Sequence, residues 1–90
     1  MASFSPKYSI EVLDYVVDWT NRLGDDTINS VDVIIIKGNV TADRAAPDPS
    51  GTKAVFWLSG GTPGESCTLR VEVETQGLRT MSVDVGIRIQ

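Results

Sequence analysis

Histidine is absent from this sequence of 90 residues, and cysteine occurs once, as Cys67. The first absence removes the commonest general base and the commonest transition-metal ligand. Neither a Ser-His-Asp nor a Cys-His arrangement can be built from the chain alone. The second excludes an intrachain disulfide, on which small secreted domains usually lean, so folding in a reducing compartment is expected. Long apolar runs are missing too. No segment reaches the ~18 residues that suggest a membrane-spanning helix, and the opening MASFSPKYSI has no apolar stretch of the secretory kind, so no membrane partner is expected. Cationic side chains are few and scattered: eight Lys and Arg against twelve Asp and Glu leave a net charge of −4. Such a chain repels phosphate backbones, which argues against a nucleic-acid partner.

What is present is ordinary globular material, with 41% hydrophobic and 22% charged residues. It suffices for one domain with a thin core. Residues 1–10 carry little pattern and read as an extended N-terminal arm, flexible unless a neighbour holds it. Residues 11–90 read as a single domain. In residues 11–23, Val12, Tyr15, Val16, Trp19 and Leu23 recur at helical spacing and Gly24 suits a helix C-cap. Against that, Tyr15, Val16, Val17, Trp19 and Thr20 favour strands, and Asp14 and Asp18 sit badly inside a helix. The favoured reading is an extended segment through Trp19, then one helical turn at Asn21–Leu23.

After a turn at Gly24-Asp25-Asp26, a strand is centred on Val31–Ile36. Its second face is partly apolar through Ile34 and Ile36, which predicts contact on both sides, with a partner subunit or with another sheet. Asn39-Val40-Thr41 suits a short edge strand. Residues 43–53, with two prolines, a glycine and mixed charge, predict an exposed mobile loop. Ala54–Leu58 is a strand. In the last third, Leu69, Val71 and Val73, and then Met81, Val83, Val85, Ile87 and Ile89, alternate with polar residues around a turn at Gln76-Gly77. That is a β-hairpin with one buried face. The whole predicts an all-β, antiparallel, immunoglobulin-like sandwich of six to seven strands.

Four features invite a chemical reading. In VFWLSGGTPG, residues 55–64, glycines follow an apolar burst. A phosphate-binding loop needs Lys and Ser/Thr after its last glycine and then a helix. Gly64 is followed by Glu65-Ser66-Cys67 and a strand, so Gly60, Gly61 and Gly64 read as a structural turn, stiffened by Pro63, with Trp57 as a core tryptophan behind it. Asp14, Asp18, Asp25 and Asp26 lack the alternating order and closing Glu of a calcium loop and read as turn and capping residues. Glu72 and Glu74 lie on a solvated sheet face. Cys67 reads as an inert packed thiol. No catalytic residue, metal or cofactor is therefore expected. Tyr15, Trp19, Phe56 and Trp57 are core candidates, with one tryptophan available to a subunit interface.

The stretches EVLDYVVDWTNRLGDDTINSVDVII and VFWLSGGTPGESCTLRVEVETQGLRT resemble a family of small tailed-bacteriophage virion proteins, the fiber-tail adaptor or neck/tail structural proteins. The resemblance rests on Leu13, Asp14, Tyr15, Asp18, Trp19, Leu23, Asp26, Thr27 and Ile28, on Trp57–Thr62 with Gly64, and on Thr75-Gln76-Gly77 followed by Leu78-Arg79. It departs at Ile34-Ile35-Ile36, where more polar alternation is usual, and Arg79 falls one residue late. It implies an immunoglobulin-like sandwich without catalysis, present in many copies in the neck or tail of a virion. It further implies folding in the host cytoplasm before assembly, and linkage of tail or portal-associated adaptor proteins to fibres. Partners would be copies of the chain in a closed ring, together with those other virion proteins. Interface candidates are Phe4, Tyr8 and Ile10 in the arm, Arg44 and Lys53 in the 43–53 loop, and Ile34 and Ile36. Tyr15, Trp19, Trp57, Gly60, Gly61, Gly64 and Gly77 are assigned to core and turns. An alternative is a capsid or tail decoration module that binds cell-surface glycans.

Overall fold

Alternation in the last third of the chain becomes the centre of one sheet. The computed structural model describes residues 2–90; Met1, the first residue of the expected arm, lies outside them. The elements are β1 (Ala2–Ser3), β2 (Leu13–Asp18), α1 (Thr20–Leu23), β3 (Ile28–Lys37), β4 (Val40–Pro47), β5 (Lys53–Gly60), β6 (Ser66–Thr75) and β7 (Thr80–Arg88). They form an all-β sandwich of two sheets, ordered β1-β7-β6-β3 and β2-β5-β4. β6 and β7 pair without interruption from Ser66↔Arg88 to Glu74↔Thr80. Their inward set, Cys67, Leu69, Val71, Val73, Val85 and Ile87, meets Ala54, Phe56 and Leu58 of β5 in one hydrophobic core. The extended segment and helical turn expected in residues 11–23 are β2 and α1.

Three expectations need correction. Residues 43–53 are not a mobile loop. β4 continues to Pro47 along β5, with a bulge between Asp43 and Ala46. Ala42 and Ala45 pack on the core, too small to announce a strand by their hydrophobicity. Pro47 ends the strand where no ladder donor is needed. The true turn is Asp48–Thr52, where the Asp48 carboxylate accepts from the Thr52 and Lys53 amides, each at 3.1 Å.

Nor is Trp57 a core tryptophan. Phe56 and Leu58 are fully buried, so period 2 turns Trp57 to the outer face. It lies between Asp14 of β2 and Asp43 of β4. The apolar run VFWL carries no internal sign of which parity points in. The core tryptophan is Trp19, 2% exposed, at the junction of β2 and α1.

Finally, the N-terminal segment is not a free arm. β1 runs parallel to β7, Ala2 beside Val85. The Phe4, Lys7 and Ser9 amides then donate to the carbonyls of Gly86, Arg88 and Gln90. Phe4, offered as an interface residue, packs with tilted rings against Tyr15 and Phe56, at centroid distances of 4.8 and 5.9 Å.

The glycine turn and the N-terminal segment explain each other. Gly60, Gly61 and Gly64 all have positive φ, of 74°, 102° and 89°. A Cβ on Gly61 would sit 2.9 Å from Cγ1 of Ile89, so glycine is needed for the last strand to close over the turn. The Gly60 carbonyl then accepts from the ammonium of Lys7 at 2.7 Å. Lys7 is fully buried, and its Nζ also donates to the carbonyls of Tyr8 and Ser9, at 2.8 and 3.4 Å. Three donors meet three acceptors, which makes burial of the ammonium tolerable. Lys7→Met keeps the buried stem but leaves those carbonyls short of a donor. The expected loss is about 2 kcal/mol, or roughly 10 °C in Tm for a domain of this size. Denaturation should reveal it, and hydrogen exchange should show lost protection at Ser9 and Gln90 before the rest of the sheet.

Candidate functional site

Among the described residues, the chemical candidates of the sequence do not come together at one place. Cys67 is buried, and burial first, then the Glu65 carboxylate, raises its thiol above the usual range. That is the reverse of activation. Glu72 stands opposite Asp32, and Glu74 opposite Ser30, on the outer face of the four-stranded sheet. On that face Arg70 is occupied by a fork to Asp84, at 2.9 and 3.2 Å. Among the described residues, no group of three or more His, Cys, Asp or Glu stands close enough to hold a metal ion. A surface depression of about 260 Å³ beside Gly86 is lined by Ser3, Phe4, Ser66, Cys67, Thr68 and Arg88. It contains no acid–base pair.

The four aspartates separate by role. Asp18 accepts from the Thr20 amide at 2.9 Å, in the turn leading into α1. Asp14 lies on the outer face of β2. Asp25 is exposed in the turn after α1. Asp26 is different: its carboxylate accepts from the Thr27 and Gly77 amides, each at 2.9 Å, and from Arg79 Nε at 3.2 Å. Arg79 also donates to the carbonyls of Arg22 and Leu23, at 3.3 and 2.8 Å, closing the end of α1. Two motifs about fifty residues apart thus form one lock, with Asp26-Thr27 on one side and Thr75–Arg79 on the other. A Cβ on Gly77 would fall 2.7 Å from Asp26 Oδ2, so a larger residue there would push the carboxylate out of the lock. Under the lock, Trp19 packs with the Arg22 guanidinium 5.0 Å from its ring centre.

The interface candidates do not gather at one place. Tyr8 and Ile10 are exposed, at 59% and 91%, by the turn into β2. Ile34 and Ile36 face outward from β3, away from the other sheet, at 38% and 48%. Their outward direction removes the other sheet as the cover for that face. Ile34 lies beside Arg70 in the ladder. Arg44 sits in the β4 bulge with φ of 52°. Its guanidinium stacks 4.4 Å from the centre of the Trp57 ring and pairs with Asp43 at 3.5 Å. Lys53 opposes Asp18 at the start of β5.

Three exposed apolar side chains escaped the sequence reading: Val12 at 50%, Val16 at 46% and Leu78 at 94%. Val12 and Val16 share the parity of Asp14 and Asp18, which is the signal that finds them once β2 is taken as a strand. Leu78 projects from the β6–β7 turn with φ of 66°, a conformation unfavourable for leucine.

The Thr75 hydroxyl first, then the Gly77 and Thr27 amides and Arg79, hold the Asp26 carboxyl at about 2, below its ordinary 3.8. A depressed folded-state pKa gives stability that is fully present above pH 3.8 and is lost as pH falls toward 2. Asp26→Asn should lower Tm at pH 7 and flatten the fall in stability between about pH 4 and pH 2. Melting curves across that range check both parts, and an unchanged acid limb contradicts the lock.

A comparison with curated proteins finds no match. The family model described as podophage GP4 fiber-tail adaptor protein gp77 matches residues 7–88. That span runs from the buried lysine to the last strand and includes both halves of the Asp26 lock. The chain belongs to the podophage fiber-tail adaptor protein family.

Proposed function

We propose that this chain is a non-catalytic structural protein of the virion neck and tail. It joins portal-associated or tail proteins to the tail fibres through contacts with copies of itself and with those neighbours. The family match over residues 7–88 carries the reading. The absence of an assembled reaction centre among the described residues is compatible with it. So is the placement of apolar side chains outside a core that is already complete.

We read the topology as immunoglobulin-like. The order β2-β5-β4 against β3-β6-β7 supports this, since it corresponds to strands B-E-D against C-F-G of that fold. Folding precedes assembly in the host cytoplasm, and many copies close into a ring. Closure is favoured because an open head-to-tail repeat would grow as a filament. The outer face of β3, with Ile34 and Ile36, is the surface assigned to the contact between copies. Tyr8, Ile10, Arg44 and Lys53 are assigned to other virion proteins.

The glycan-binding alternative draws on Trp57, half-buried on an outer face between Asp14 and Asp43. A sugar would stack on the ring face, but Arg44 already covers it at 4.4 Å. The adaptor reading is therefore preferred, and specific hits in a glycan screen would reverse that preference.

Imaging of intact particles tests the location, and a density for this chain outside the neck and tail would overturn the reading. Mass measurement of the isolated protein tests the ring. Ile34→Glu with Ile36→Glu should leave monomer stability within about 0.5 kcal/mol per site, as expected for surface positions, while shifting an oligomeric mass to that of the monomer. An oligomer that survives both changes removes the β3 face from the proposal.

A further inference from the structure

Every sheet has edges, and this protein guards most of its own. The β7 edge is covered over Val85–Gln90 by the N-terminal segment. The Ser82 carbonyl accepts from Arg22 Nη1 at 3.3 Å. The β4 edge is broken by the bulge at Arg44 and ended by Pro47. β3 carries two register irregularities, at Ile28/Ser30 and Ile35/Lys37. Bulges and covers of this kind are what proteins use to blunt strand edges.

β2 is the exception. It ends the three-stranded sheet, with β5 as its neighbour on one side. Its register with β5 runs without a shift from Leu13↔Leu58 to Asp18↔Lys53. Leu13–Asp18 contains no proline, glycine or lysine. The parity of its backbone follows from one bond just beyond it: Trp19 N–H donates to the Thr52 carbonyl at 2.9 Å. In an antiparallel pair hydrogen-bonded positions alternate, so Val17, Tyr15 and Leu13 bond toward β5. The N–H and C=O groups of Asp14 and Val16 then face the open side. The exposed side chains on these positions are carboxylate, valine and carboxylate at Asp14, Val16 and Asp18, with Val16 46% exposed.

We propose that β2 receives an extended segment of a partner protein as a fourth strand, and that the segment carries Lys or Arg on either side of an apolar residue at alternate positions. Backbone pairing supplies the attachment and the alternate side chains supply the choice of partner. Charge selects the occupant. A second copy of this chain pairing antiparallel about Val16 would set Asp14 directly against Asp18, and like charges facing across a ladder repel. A basic–apolar–basic segment meets the same positions with opposite charge and an apolar contact at the centre. The two aspartates thus act against self-pairing and for a cationic partner at once. The inference rests on the adaptor reading for the source of the segment, while the open edge stands without it.

The test uses the full chain and the acetylated, amidated heptapeptide Thr-Lys-Thr-Val-Thr-Lys-Thr, with its counterpart bearing Glu for both Lys. Binding is followed by amide chemical shifts. The lysine peptide should move the Asp14 and Val16 amides, bind about tenfold more tightly than the glutamate peptide, and weaken as salt is raised. Val16→Pro removes an N–H that faces the open side, which edge strands tolerate, and should abolish binding with the melting transition retained. Asp14→Lys should reduce the preference for the lysine peptide, covering the case in which the proline variant does not fold. Equal binding of both peptides, undiminished binding to a folded Val16→Pro variant, or no shift at several millimolar peptide would each overturn the proposal. So would a concentration-dependent dimer perturbing the β2 amides, which would make a second copy the occupant. If the lysine peptide binds β2 but particle imaging places the chain outside the tail, the adaptor reading fails and the edge site remains.

Discussion

A buried ammonium fastens the N-terminal segment of this chain to its middle. Lys7 takes its three acceptors from Tyr8, Ser9 and Gly60. To reach them it must be fully enclosed, and an enclosed charge persists only when its donors are matched. That condition fixes three features together. The Gly60 carbonyl must point inward, which the positive φ values of the turn allow. The N-terminal segment must lie along β7. The last residues must close over Gly61, where there is space for Ile89 and none for a Cβ. The glycine stretch that the sequence marks as a structural turn is also a receptor for the chain's own lysine.

The opposite end depends on a second polar lock. A sandwich this thin buries its middle well, because β5 and β6 face each other with alternating apolar residues, but its ends are open to water. At one end Lys7 and the glycine turn shut it. At the other, Trp19 fills the gap and the Asp26–Arg79 lock holds α1 and the β6–β7 turn over it. Both arrangements join residues more than fifty positions apart, and both are built largely from hydrogen bonds to backbone. Substitution at either should loosen an end before it loosens the sheets.

That distribution explains which parts were legible in advance. Leu69, Val71, Val73, Val85 and Ile87 alternate cleanly with polar neighbours, so the hairpin, its buried face and the all-β class follow from period 2. Trp57 shows where that stops. In an unbroken apolar run the parity is decided by Phe56 and Leu58 fitting the core, which is a tertiary fact. Ala42 and Ala45 hide a strand because small side chains give no contrast. Nothing around Lys7 signals burial, since its acceptors are carbonyls and one belongs to Gly60. The quoted motifs did carry the lock residues Asp26, Thr75, Gly77 and Arg79, but without their pairing. Exposed apolar residues on β2 became readable only after its parity was known.

An adaptor between unlike neighbours needs surfaces that differ in kind, and a sandwich provides them through its sheets. The four-stranded sheet presents a broad outer face on which Ile34 lies next to the Arg70–Asp84 pair. This mixed face is the one proposed to meet identical copies. The three-stranded sheet presents something narrower: a regular edge strand, two carboxylates, and Trp57 held under Arg44. The left-handed Arg44 backbone is costly for a non-glycine residue. It is offset here by the stacked ring and by Asp43. Repetition of one contact builds symmetry, whereas a single charged edge discriminates among partners. The core and the two end locks need only one face of each sheet, which leaves the other faces free for both proposed contacts.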